Sequence, residues 1–62
     1  MSDKKWVEIF GENVKETDDA VKVDDGDTSV WIPKQFMEDW PDEGEDGDFI
    51  IEEWIALETE LI

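Results

Sequence analysis

The chain contains no cysteine, histidine, arginine or tyrosine, and no apolar run longer than four residues. Without cysteine there is no disulfide framework and no thiolate metal site. Without histidine, imidazole-based zinc sites and histidine acid–base catalysis are excluded too. The apolar runs fall far short of the ~20 residues that a membrane-spanning helix needs. The opening Met-Ser-Asp-Lys-Lys-Trp lacks the apolar core of a signal peptide. A cytoplasmic protein is therefore expected, in a bacterial host if the chain is phage-encoded. At 62 residues it allows one acidic domain spanning 1–62, with residues 1–4 expected as a disordered tail.

Positive charge is also scarce. Five lysines face twenty aspartates and glutamates, for a net charge of −15. Such an excess repels DNA, RNA and anionic lipid, so neither direct nucleic-acid binding nor membrane binding is expected. It also opposes compaction by self-repulsion, which a protein without use for the charge would not retain. The imbalance is uneven: residues 1–34 hold nine acids and all five lysines, whereas residues 35–62 hold eleven acids and no lysine. Charge this high can mean disorder. Four tryptophans, three phenylalanines and periodic Val and Ile argue instead for a folded core under an acidic coat.

Residues 6–10, bounded by Gly11, read as a first strand with Val7 and Ile9 on one face and Trp6, Glu8 and Phe10 on the other. Residues 13–19 are polar, either a loop or the continuation of a bent strand. Residues 20–24 and 27–32 alternate around Asp25-Gly26, a preferred two-residue hairpin turn. That turn pairs Val23 with Thr28, Lys22 with Ser29 and Val21 with Val30, placing Val21, Val23, Thr28, Val30 and Ile32 on one face. Pro33 ends or edges the strand. Residues 35–40 are ambiguous between helix and strand; a strand could pair with residues 49–51 across the acidic loop. Ile50, Trp54, Leu57 and Leu61 follow helical spacing, with Ile55 and Ile62 extending the stripe, which predicts an amphipathic helix over residues 52–61 with Trp54 in the core. The expected fold class is α+β: a small antiparallel sheet of four or five strands, curled or barrel-like, with one C-terminal helix.

Between residues 40 and 49 lie five carboxylates, Asp42, Glu43, Glu45, Asp46 and Asp48, with no lysine. Counted from Asp42, the stretch approaches a calcium loop, with Asp46 at position 5, Gly47 at 6, Phe49 at 8 and Glu53 at 12. Gly44 leaves position 3 without a ligand, and Pro41 stands where an entering helix should end. A calcium-binding loop is the weakest reading, and no metal or cofactor is expected. Catalysis is not expected either: the hydroxyls of Ser2, Thr17, Thr28, Ser29 and Thr59 have no histidine to activate them.

Val30-Trp-Ile-Pro-Lys34 after an Asp-Gly hairpin, followed by Glu52-Glu-Trp-Ile-Ala56, resembles a short β-domain of phage and mobile-element proteins carrying V-W-I-P-K and E-W-I-A segments. The resemblance covers most of the chain from residue 6 and implies a fold rather than an activity. In size and acidity the chain is also similar to phage anti-CRISPR and anti-restriction DNA mimics, a likeness of character without a shared motif.

A compact chain of this length spans roughly 28 Å, so its net charge amounts to about one per 1.9 Å, near the one per ~1.7 Å of duplex DNA. The leading expectation is a non-enzymatic inhibitor whose acidic surface imitates DNA and blocks the nucleic-acid-binding site of a basic host defence protein or complex. Its partner-binding residues would be Glu38, Asp39, Asp42, Glu43, Glu45, Asp46, Asp48, Glu52 and Glu53, with Asp24, Asp25 and Asp27 at the hairpin tip as a second patch. The alternative is a small acidic adaptor that contacts a protein through exposed tryptophans, Trp31 and Trp40. Monomer and homodimer both remain open.

Overall fold

The computed structural model describes residues 4–62. The disordered tail expected at the N-terminus lies outside the described residues for 1–3; Lys4 lies within them. Five strands and one helix follow in order: β1 Trp6–Glu16, β2 Ala20–Asp24, β3 Ser29–Pro33, a 3-10 turn Lys34–Phe36, β4 Met37–Asp39, β5 Asp46–Glu52 and α1 Glu53–Glu58. The strands form one antiparallel sheet in the order β3-β2-β1-β5-β4. β3 and β4 remain as edges, so the sheet is curled and not closed into a barrel. The expected α+β class is the observed one.

Alternation divides the sheet into two faces. The inner face supplies Ile9, Val21, Val23, Ile32, Met37, Phe49 and Ile51, and Ala56 and Leu61 close over it. Fully burying side chains of this size contributes about 1.5–3 kcal/mol each. The outer face presents Trp6, Glu8, Phe10 and Glu12 from β1, all exposed. β1 is long because it runs on past Gly11, as one of the two readings of residues 13–19 had it. A Cβ at Gly11 would stand 2.7 Å from the Asp24 carbonyl oxygen, so only glycine lets β2 cross this closely. A bulge at Val14 follows, bending the strand end.

The hairpin forms with a corrected register. Val21 faces Ile32, Lys22 faces Trp31, Val23 faces Val30 and Asp24 faces Ser29. Thr28 leaves the strand, and residues 25–28 become the connection. An Asp-Gly type I′ turn needs positive φ at both central residues. Here Gly26 has φ 102° and Asp25 does not share it. The Asp25 carboxylate instead accepts the backbone N–H groups of Asp27 and Thr28, both at 2.9 Å, which holds a wider turn. The slip is two residues, so the expected faces for Val21, Val23, Val30 and Ile32 survive.

Residues 35–40 use both expected structures: a 3-10 turn, then β4, whose Met37 faces Ile51. The helix is the larger correction. Ile50 and Ile51 belong to β5, and α1 is six residues long. It ends in a Schellman arrangement, with Leu61 N–H donating to the Ala56 carbonyl (2.9 Å) and Glu60 N–H to Leu57 (3.2 Å). Glu60 takes the left-handed conformation this requires, at φ 65°. So short a helix turns only Ala56, and in part Ile55, to the core. Trp54 is therefore not a core residue: it is 50% exposed, packing edge-on against Phe36 with ring centroids 5.0 Å apart.

Candidate protein-binding surface

The acidic loop between β4 and β5 is fastened to β1, and Asn13 is the fastener. The Asn13 backbone N–H donates to the Glu45 carbonyl at 2.9 Å, and its carbonyl accepts from Gly44 N–H at 2.7 Å. Its side-chain amide donates to the Pro41 carbonyl at 2.9 Å and to the Glu16 carboxylate at 3.0 Å. Glu16 N–H in turn reaches the Glu43 carboxylate at 3.2 Å, and Glu45 N–H closes a turn on the Asp42 carbonyl at 2.9 Å. Pro41 lies over Gly47, where a Cβ would come within 3.3 Å of the proline ring. Asn13 is wholly buried, the expense of holding a polar hub beneath a loop of carboxylates.

A cation supports the same junction. Lys34 Nζ sits 2.8 Å from Glu16 and 5.8 Å from the centroid of the Trp40 ring. Lys34, and after it the Asn13 amide, holds the Glu16 carboxyl below its ordinary value. At the hairpin tip the Asp27 and Thr28 N–H groups do the same for Asp25. Trp40 is half-buried and packs against the core, so it offers little surface to a partner.

The structure joins two patches that are separate in the sequence. Glu12 of β1 faces Asp24 of β2 on one side and Asp46 of β5 on the other. Adjacent strands lie about 4.8 Å apart, so three carboxylates rise from a row roughly 10 Å wide. Like charges directly opposite one another destabilise a sheet. Together with Phe10, Gly11, Asp25 and Gly26 they line an open cleft of about 370 Å³. Along β5, Asp46 and Asp48 repeat at about 6.8 Å. Glu8 and Glu12 also belong to this surface, and sequence reasoning passed over them because no local motif marks an acid on a central strand. Their alternation with Val7 and Ile9 was the available signal.

The remaining sequence candidates divide. Glu38, Asp39, Asp42, Glu43, Glu45, Asp46, Asp48 and Asp27 are exposed; Asp24, Asp25 and Glu53 are half-buried. Glu52 is only 7% exposed, covered by the Trp54 indole, which donates to it at 3.1 Å, and by Lys4 Nζ at 3.8 Å. It is thereby withdrawn from the accessible acidic surface. Trp31 is exposed, but its cross-strand neighbour is Lys22, which faces Lys15 in turn, so it is not ringed by acid. The calcium-loop spacing falls on extended chain: Asp46 and Gly47 open β5, and seven residues of strand separate the loop from the helix. Among the described residues no three acidic side chains converge as a metal site.

The molecule measures 36 × 24 × 16 Å, and residues 4–62 carry 19 acids and 5 lysines, so their net charge of −14 falls at one per 2.6 Å of the long axis. That is sparser than the spherical figure drawn from length alone. No protein family, curated protein or solved structure matches the chain.

Proposed function

We propose that this chain is a non-enzymatic inhibitor that occupies the nucleic-acid-binding surface of a basic protein, of the kind found in host defence complexes, by presenting fixed carboxylates in place of phosphates. The observation that carries the reading is the anchoring of the acidic loop through Asn13. A tail kept only for solubility has no need of a buried polar hub, and a mimic needs carboxylates at defined positions. The like-charged row Asp24, Glu12 and Asp46 supports the same reading, because it opposes folding and has to be balanced by use elsewhere. Association would be fast and weakened by salt.

The test is capture of nucleic-acid-binding proteins from a bacterial lysate that contains defence nucleases, at low and high salt, with duplex DNA as competitor. The expected result is a nuclease or nucleic-acid-binding subunit that DNA displaces. Changing Asp42, Glu43, Glu45, Asp46 and Asp48 together to their amides should weaken that binding more than tenfold without loss of fold. A five-amide variant that still binds and blocks the captured protein fully would refute the proposal. Trp31→Ala should leave binding intact; loss of binding there alone would favour the tryptophan adaptor.

A further inference from the structure

Apart from Trp54, whose indole donates a hydrogen bond to Glu52, three aromatic side chains in this fold stand beside a carboxylate, and two of those pairs hold a lysine of the chain itself. Trp6 faces Glu52 across β1 and β5, and Lys4 Nζ lies 6.0 Å from the Trp6 ring centroid and 3.8 Å from Glu52. Trp40 and Glu16 hold Lys34 in the same manner. The third pair is Phe10 and Asp48, which face one another on the same two strands, four residues further along. Among the described residues no cation takes the third place in that pair.

Phe10 belongs neither to the core nor to the side chains packed against it. It is 67% exposed in the central strand of the sheet. Both α1, through Ala56, and the loop, through Pro41, pack on the opposite face. Its surroundings on the outer face are acidic: Glu8 and Glu12 flank it along β1, Asp48 lies opposite, and Asp24, Asp25 and Asp46 share its cleft. An aromatic face attracts a cation, and the carboxylates supply the charge to retain it. A guanidinium suits both, being planar enough to stack and forked enough to bind a carboxylate with two hydrogen bonds. A second copy of this chain does not suit the face, since it would set one acidic ring against another.

We propose that the outer face of β1 and β5, centred on Phe10 and Asp48, docks an arginine side chain presented by a basic protein surface. The inference rests on the reading above that the partner is a basic nucleic-acid-binding protein, and it names the contact. Lysine, as Lys4 and Lys34 show over Trp6 and Trp40, also meets an aromatic face, but its compact, strongly hydrated ammonium cannot stack on the ring or fork onto the carboxylate, so it would gain less than arginine.

Binding of fluorescein-labelled ten-residue arginine and lysine peptides, followed by anisotropy at low salt, tests it without any defence protein. The wild type should bind the arginine peptide about two- to fivefold more tightly than the lysine peptide, the range of an exposed cation–aromatic contact. Phe10→Ala should remove that preference, and Phe10→Trp should keep it. Asp48→Asn should weaken both peptides. Equal affinity of the wild type for the two peptides, or an unchanged preference in Phe10→Ala, overturns the proposal. So does sedimentation showing a wild-type dimer that Phe10→Ala dissociates, because the face would then belong to a second copy. The peptide result stands independently of whether the lysate yields a DNA-competed partner, so the two readings can fail separately.

Discussion

Replacing Asn13 tests whether the acidic loop is held as rigidly as its hydrogen bonds imply. Asn13→Ala removes the amide bonds to the Pro41 carbonyl and to Glu16 but keeps the two backbone bonds to residues 44 and 45. A net hydrogen bond is worth about 1 kcal/mol. The Asn13 Oδ1 atom is buried without a partner, and its removal returns part of the loss. The expected destabilisation is therefore about 1–2 kcal/mol. For a domain of this size that lowers Tm by roughly 5–15 °C. Asn13→Asp is the sharper variant, because it has nearly the same shape but turns an oxygen toward two oxygen acceptors. At pH 7 it also buries a charge, which takes the loss beyond about 3 kcal/mol, comparable with the whole stability expected of so small a domain. Thermal unfolding by circular dichroism supplies the ranking, and hydrogen exchange at the Gly44 and Glu45 amides reports whether the loop has loosened. If Asn13→Ala stays within about 0.5 kcal/mol of the wild type, or Asn13→Asp matches Asn13→Ala at pH 7, the fastening argument fails.

Three further outcomes follow from the structure. Gly11→Ala should destabilise the fold by about 1–3 kcal/mol in urea unfolding, because its methyl would press on the Asp24 carbonyl 2.7 Å away; an unchanged midpoint would contradict the close crossing. Glu60→Gly should stabilise by about 1 kcal/mol, relieving a left-handed glutamate at φ 65° and a negative charge at the helix end; lower thermal stability would contradict it. Glu16 has its pKa lowered by Lys34 and Asn13, so its contribution is fully present above the ordinary value of 4.5 and disappears as pH falls through the lower folded value. The difference in urea midpoint between wild type and Glu16→Gln should accordingly shrink from pH 5 to pH 3, and a difference that grows would reverse the assignment.

Much of the fold was legible because alternation survives errors of register. Val21, Val23, Val30 and Ile32 reach the core under either pairing of the hairpin, since the slip is by two. The helix was misread for a related reason. Ile50, Trp54, Leu57 and Leu61 carry helical spacing, but Ile50 can equally alternate with Ile51 in a strand, and pairing with β1 wins there. Once the helix begins only at Glu53, one and a half turns cannot bury the whole stripe, and Trp54 and Leu57 stay outside.

For the candidate surface, composition and order alone determined the −15 charge, the lysine-free second half and the concentration of acids between residues 40 and 49. These are sums and runs along the chain, and no fold can alter them. Tertiary structure decided which acids meet and which are withdrawn. It brought Asp24, Glu12 and Asp46 into one row from three strands, covered Glu52 with Trp54 and Lys4, and left Phe10 beside Asp48 with no cation among the described residues. It also gave Asn13, an unremarked polar residue in the sequence, the task of holding the loop. The strand pairings among these join residues 12 to 38 positions apart, from Glu12 and Asp24 to Phe10 and Asp48, and only the register of the sheet determines which of them become neighbours.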